Sequence, residues 1–193
     1  MIRIGLFGTI DVRDAEGRAL QGILAQPKRL ALLAYLAAAS PTGSHRRDTL
    51  LGLFWPELDQ SHARNALSQA VHFLRRSLGE DVLIARSGDE LALDGTRVWV
   101  DVRAFDAALS DDRPGDALEL YRGELLPSFF LSGCAGFEEW LESERERLRG
   151  RAAEAARRLA EHHEGGAGSL WPLVAPAWPS SSVAGTSATC AGC

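Results

Sequence analysis

Three observations in the sequence predict its fold class. Residues 1–100 pass from short alternating apolar strands, through three amphipathic helical stripes, to a hairpin. This is the order of an α+β winged helix-turn-helix with N-terminal β-strands. Residues 101–164 keep only helical periodicity, which predicts an all-α helical-repeat domain that is incomplete. Residues 165–193 carry no charged side chain and are expected to be a disordered tail.

The elements follow in order. Ile2, Ile4 and Leu6 fall on one face of a first strand, and Ile10 and Val12 on a second, with Gly8 between them. Asp14 to Gly17 reads as a turn and Ala19–Leu24 as a third strand. Pro27 opens a helix at a position where its missing N–H costs nothing. Leu30, Leu33, Leu36 and Ala37 form that helix's buried face, and Ser40-Pro41-Thr42-Gly43 ends it. Arg47–Trp55 is a second, short helix with Leu50, Leu51 and Phe54 inward, stopped by Pro56.

A third helix is expected from about Asp59 to Leu78. Its stripe is Ala63, Ala66, Leu67, Ala70, Val71, Leu74 and Leu78, and Gly79 is a natural residue to end it. Val82–Arg86 and Glu90–Leu93 flank Ser87-Gly88-Asp89 as a hairpin. Val98, Val100 and Val102 suggest a strand leading out of the domain. Beyond it lie short helices at Asp101–Leu109 and Gly115–Tyr121. A long helix runs from Phe137 to about His163, with Phe137, Leu141, Leu148, Ala152, Ala155 and Leu159 on one side. Its pairs Glu144–Arg147, Glu146–Arg149 and Glu154–Arg158 read as a solvated face.

Composition bounds the function. The 193 residues are 46% apolar and 24% charged, which fits a globular chain. The net charge of −5 conceals a local division. Residues 1–100 sum to +1 and residues 101–164 to −6, and fields act locally. The one lysine, Lys28, follows Pro27 with no glycine run, so no nucleotide-binding P-loop is present. No His-Glu-x-x-His, Gly-x-Ser-x-Gly or dinucleotide-binding glycine pattern occurs, so an enzyme is not expected, nor is a cofactor. The N-terminus lacks a secretory apolar region, and Leu30–Ala39 is too short to span a bilayer. The expectation is a cytoplasmic protein. Three cysteines do not make a disulfide framework. Cys190 and Cys193 with His162 and His163 are a poor zinc set, and no metal is expected. Cys134 reads as a small packing residue.

The third helix carries the functional signal. Its stripe leaves Arg64, Asn65, Ser68, Gln69, His72, Arg75 and Arg76 free, and from Gln60 to Leu78 there are three arginines and no acid. Any surface helix is polar opposite its core, so polarity alone means little. The missing acids, the short helix before and the hairpin after point to a helix that reads double-stranded DNA. Arginine bridges guanine O6 and N7 or grips phosphate, and Asn and Gln pair with adenine. Arg46 and Arg47 open the second helix, where N–H groups and charge can hold a phosphate. Arg86 and Arg97 flank the hairpin as weaker candidates for backbone or minor-groove contact.

Leu50-Leu51-Gly52-Leu53-Phe54-Trp55-Pro56, then Ala63-Arg64-Asn65-Ala66-Leu67-Ser68-Gln69-Ala70 and Phe73-Leu74-Arg75-Arg76-Ser77-Leu78 resemble the SARP-type bacterial transcriptional activators. Val100-Asp101-Val102-Arg103-Ala104-Phe105, the run from Ala117 to Pro127, and Phe137-Glu138-Glu139-Trp140-Leu141 extend the resemblance to about residues 2–163. It implies a response-regulator-type winged-helix DNA-binding domain and then a bacterial transcriptional activator domain. That second domain has a TPR-like helical-repeat fold, opened by Asp101 and Phe105. It also implies binding to promoter repeats as a dimer or tandem monomers, and contact with RNA polymerase.

The tail departs from that pattern, since further amphipathic helices should follow residue 164. The expectation is a frameshift near residue 165. With GC-rich codons, the shifted frame over Leu170–Ser182 permits an amphipathic Ala-, Arg- and Leu-rich helix. The alternative function that follows is a truncated DNA-binding or dimerisation module, which competes with full-length relatives without activating.

Overall fold

The computed structural model describes residues 1–86 and 89–167, with side chains described to Glu161. The described residues form two three-stranded sheets and seven helices.

The first sheet holds β1 (Ile2–Gly5), β2 (Asp11–Arg13) and β6 (Val98–Val100), in the order β2-β1-β6. β1 runs antiparallel to β2 and parallel to β6. Alternation sends Ile2, Ile4, Val12, Val98 and Val100 inward and leaves Arg3, Arg13 and Trp99 on the outer face. The Val98–Val100 strand therefore returns to the N-terminus instead of leading away.

Ala19–Leu24 is not a strand. Only Ala19 bridges to Arg13, and Gln21–Leu24 is a single helical turn, α1. Its apolar residues Leu20, Ile23 and Leu24 fall at i, i+3 and i+4, a helical spacing. Ile23 is fully buried by that turn.

α2 (Pro27–Ala38) starts on Pro27, and from Leu30 onward all its residues are buried. β3 (Ser44–Arg46), a strand with no apolar signal of its own, follows and pairs with β5. α3 is Arg47–Phe54, and α4 is Gln60–Leu78. β4 (Leu83–Arg86) and β5 (Glu90–Leu93) form the expected hairpin, in a second sheet ordered β3-β5-β4. Ser87 and Gly88 lie outside the described residues. His45 of β3 packs its ring 5.0 Å from Tyr35, and its Nε2 is buried without a partner among the described residues.

Burial, followed by nearby Arg103, holds His45 below the ordinary histidine pKa, with Glu90 opposing. The unfolded chain thus takes up the proton first. Stability is complete above the unfolded value near 6.5 and falls as the pH drops below it. Denaturant midpoints at pH 7 and 5 should show a loss that His45→Phe removes. An equal loss in both proteins would refute this role for the imidazole.

α5 (Asp101–Ser110) starts directly after β6, and α6 (Pro114–Leu120) and α7 (Ala135–Ala167) follow. The core continues across residue 100. Phe7 meets Phe105 edge-on at 5.5 Å and Tyr121 at 5.0 Å. Tyr35 of α2 and Phe54 of α3 meet Trp140 and Phe137 of α7 at 4.8 and 5.3 Å. Gly8 (φ +70°) allows the N-terminal segment its close approach, since a Cβ there would lie 2.6 Å from the Arg122 carbonyl oxygen.

The charged run on α7 is a solvated face only in part: Glu146, Arg149 and Glu154 are exposed, but other charges are drawn to neighbouring elements. Glu144 is 6% exposed and holds Arg147, which also reaches Asp106 of α5 at 3.1 Å. Arg145 donates to the carbonyls of Leu125 and Leu126 at 3.0 and 2.6 Å. Arg149 pairs with Glu124 at 2.7 Å rather than with Glu146, and Arg158 pairs with Asp112 rather than Glu154. These arginines fasten α7 to α5 and to the loops around α6, because their length spans the gap between the elements. Of the stripe, Leu159 is only half-buried. Residues 165–167, expected in a disordered tail, still belong to α7, and residues 168–193, with Cys190 and Cys193, lie outside the described residues.

Candidate nucleic-acid interface

α4 packs one face into the core and is capped at its N-terminus. Asp59 caps it, accepting from the backbone N–H of Ser61 at 3.0 Å and of His62 at 3.1 Å. Bonds from the Ser61 hydroxyl and the His62 ring, with the His62 N–H, hold the Asp59 carboxyl well below the usual carboxylate range. Gly79 (φ +113°) closes the helix, its N–H donating to Arg75 O at 2.7 Å. Ala63, Leu67, Ala70, Val71, Leu74 and Leu78 are buried.

The opposite face carries the expected residues. Arg64, Asn65, Ser68, Gln69, His72 and Arg76 are exposed. Arg75 is half-buried, and its Nε donates to Leu83 O at 3.0 Å, which ties α4 to β4. That leaves only the two terminal nitrogens of Arg75 for any partner.

Arg47 comes to the side of these residues. Arg46 immediately precedes α3, Arg47 is its first residue, and the Arg47 N–H donates to Asp89 O at 2.9 Å. Arg47 lines a small cavity of about 180 Å³ with Ser68, His72, Arg75 and Glu80. Arg46 and Arg86 lie opposite Glu90 from its two sides in the β3-β5-β4 register. Glu90 is engaged by the Ser44 hydroxyl at 2.5 Å. Arg97 stands apart. It lies between Asp81 and Asp94 at 3.4 and 3.6 Å, beside the far end of α4.

Sequence reasoning missed Arg29, whose guanidinium lies 4.0 Å from the centre of the Phe73 ring on α4. Its spacing on α2 held no hint of that contact, which depends on how the two helices cross. Cys134 is buried, with Sγ 3.4 Å from Phe54 O, and burial pushes its thiol up. No cluster of three or more His, Cys, Asp or Glu fit to hold a metal occurs among the described residues. His162, His163, Cys190 and Cys193 fall outside the described side chains. No helix of the described residues is long and apolar enough to cross a membrane.

No family model matches the sequence, and no curated protein matches it. Among solved structures, the chain is similar to Mycobacterium tuberculosis EmbR in complex with a low affinity phosphopeptide. The TM-score is 0.55 at 23% identity, over 80% of this chain. The chain spans 45% of that chain's length. The likeness is one of fold: a mixed α/β arrangement of small sheets and several helices.

Proposed function

We propose that the chain is a sequence-specific DNA-binding transcriptional regulator, an activator of the SARP type. Residues 1–100 would be its winged helix-turn-helix, with α4 as recognition helix and β4–β5 as wing. Residues 101–164 would be part of the activator domain that contacts RNA polymerase. It works in the cytoplasm, on promoter repeats along the nucleoid, as a dimer or as tandem monomers.

One observation carries this reading. An exposed, acid-free face of α4 bears Arg64, Asn65, Ser68, Gln69, His72 and Arg76, with Arg47 beside it, and Arg46 and Arg86 lie on the neighbouring β3-β5-β4 sheet. A helix with bidentate donors at its exposed positions fits a major groove, and cations at its flanks fit the phosphates. The mixed fold shared with EmbR is compatible with it. Our reading of Arg97 is weaker, because Asp81 and Asp94 neutralise it.

Selection of bound sites from random DNA, followed by footprinting, tests the proposal, and a repeated motif is expected. On that motif Arg64→Ala should cost about 1–3 kcal/mol if the side chain reads a base. If it grips a phosphate, the slope of log K against log salt should instead shallow by about 1. No enriched motif, or neither change, would sink the assignment of α4. A reporter assay separates activation from the competing, non-activating module.

A further inference from the structure

The outer face of the β2-β1-β6 sheet borders an open cavity of about 620 Å³, and no residue of α4 lines it. Small-molecule sites commonly occupy roughly 300–1,000 Å³. The strand register builds this one. Arg3 on β1 lies opposite Arg13 on β2 and Trp99 on β6, so three outward residues form one row. In the next row Gly5 lies opposite Asp11, and Asp101 stands beside it at the start of α5. Gly5 is not required by packing, because a Cβ there would meet nothing nearer than 3.7 Å. Its lack of a side chain leaves the cavity floor open. Ile10, Leu24 and Leu120 supply apolar walls, and Arg122 closes the far side.

The charges in this cavity are unequally committed. Asp11 is taken by Arg13 at 2.6 Å. Asp101 spends one oxygen on the N–H groups of Leu6 and Phe7 and the other on its neighbour Val102. Arg3 and Arg122 meet no carboxylate among the described residues, and Arg3 lies 4.9 Å over the Trp99 ring. Two guanidiniums without carboxylate partners, one of them stacked on an indole, together with apolar walls match a flat anion. Guanidinium binds a carboxylate through paired N–H bonds and stacks on planar groups.

We infer that this cavity binds a small aromatic carboxylate, held by Arg3 and Arg122 with its ring against Trp99 and the walls of Leu24 and Leu120. The site touches both halves of the chain, through β1 and α1 on one side and Leu120 and Arg122 on the other.

The test titrates the full chain with 2-naphthoate by calorimetry, without DNA, so it is independent of the proposed DNA binding. Saturable one-to-one binding is expected. Arg3→Gln and Arg122→Gln should each weaken it by about tenfold, as loss of a charge-assisted bidentate contact does. Trp99→Leu should weaken 2-naphthoate but leave inorganic phosphate, a weaker probe, unchanged. Both arginines are exposed, so unchanged melting temperatures would confirm that the variants fold. Absence of saturation in the millimolar range, or equal affinity in wild type and both arginine variants, would overturn the inference. Phosphate binding as tightly as 2-naphthoate would overturn the aromatic part.

Discussion

Phe137→Ala should lower the stability of the chain by about 3–5 kcal/mol, the usual cost of emptying a buried aromatic site. The side chain is fully buried. It sits 5.3 Å from Phe54, 5.4 Å from Trp140 and 6.1 Å from Phe129, ring centre to ring centre. It joins α7 to α3, and through Trp140 to Tyr35 of α2. The cavity left behind would be walled by rings from α3, α7 and the segment around Phe129, each held by contacts of its own, so collapse onto it is limited. Chemical denaturation monitored by circular dichroism reads the loss, and a cost below about 1 kcal/mol would show that α7 is not fastened through this ring. The same substitution bears on the proposed DNA binding. α3 packs against both α7 and α4, so a variant that remains folded should bind DNA more weakly without any change on the α4 surface.

Much of this was legible in the sequence because it rests on local spacing. The α4 stripe, its Asp59 start and its Gly79 end are each set within one or two turns of chain. The hairpin follows from two short apolar runs around a turn. What was not legible depends on long-range pairing. β3 has the residues Ser44, His45 and Arg46, none of which marks a strand; it is one because β5 offers an unpaired edge. β6 joins β1 in parallel across almost a hundred residues, which no local pattern encodes. The α7 charges looked solvated because helical neighbours of opposite sign were available. Arg147 keeps its helical neighbour Glu144 and adds Asp106, whereas Arg149 and Arg158 pair instead with Glu124 and Asp112 outside the helix. For the candidate interface the same division holds. The exposed α4 residues follow from periodicity, whereas the restraint on Arg75 by Leu83 and on Arg97 by Asp81 needs the fold.

Asp101→Ala should cost about 2–4 kcal/mol, because it strands buried backbone donors rather than merely removing a side chain. Asp101 is 6% exposed. Its Oδ2 accepts from Leu6 N–H at 2.7 Å and Phe7 N–H at 2.9 Å, and its Oδ1 accepts from Val102 N–H at 2.8 Å. Burial pushes the carboxyl above its ordinary pKa, and those three N–H groups oppose the shift. Leu6 and Phe7 sit where the chain leaves β1, so this one carboxylate holds the N-terminal segment against the start of α5. Two consecutive buried donors left without a protein partner each lose a hydrogen bond. Asp101→Asn separates the two contributions. Its amide oxygen can still accept from Leu6 and Phe7, while its NH₂ must face the Val102 N–H. The asparagine variant should therefore fall between wild type and alanine. Urea midpoints with unchanged m-values would establish the order. An alanine variant no less stable than asparagine would mean that Leu6 and Phe7 find other acceptors, and that the carboxylate does not make this joint.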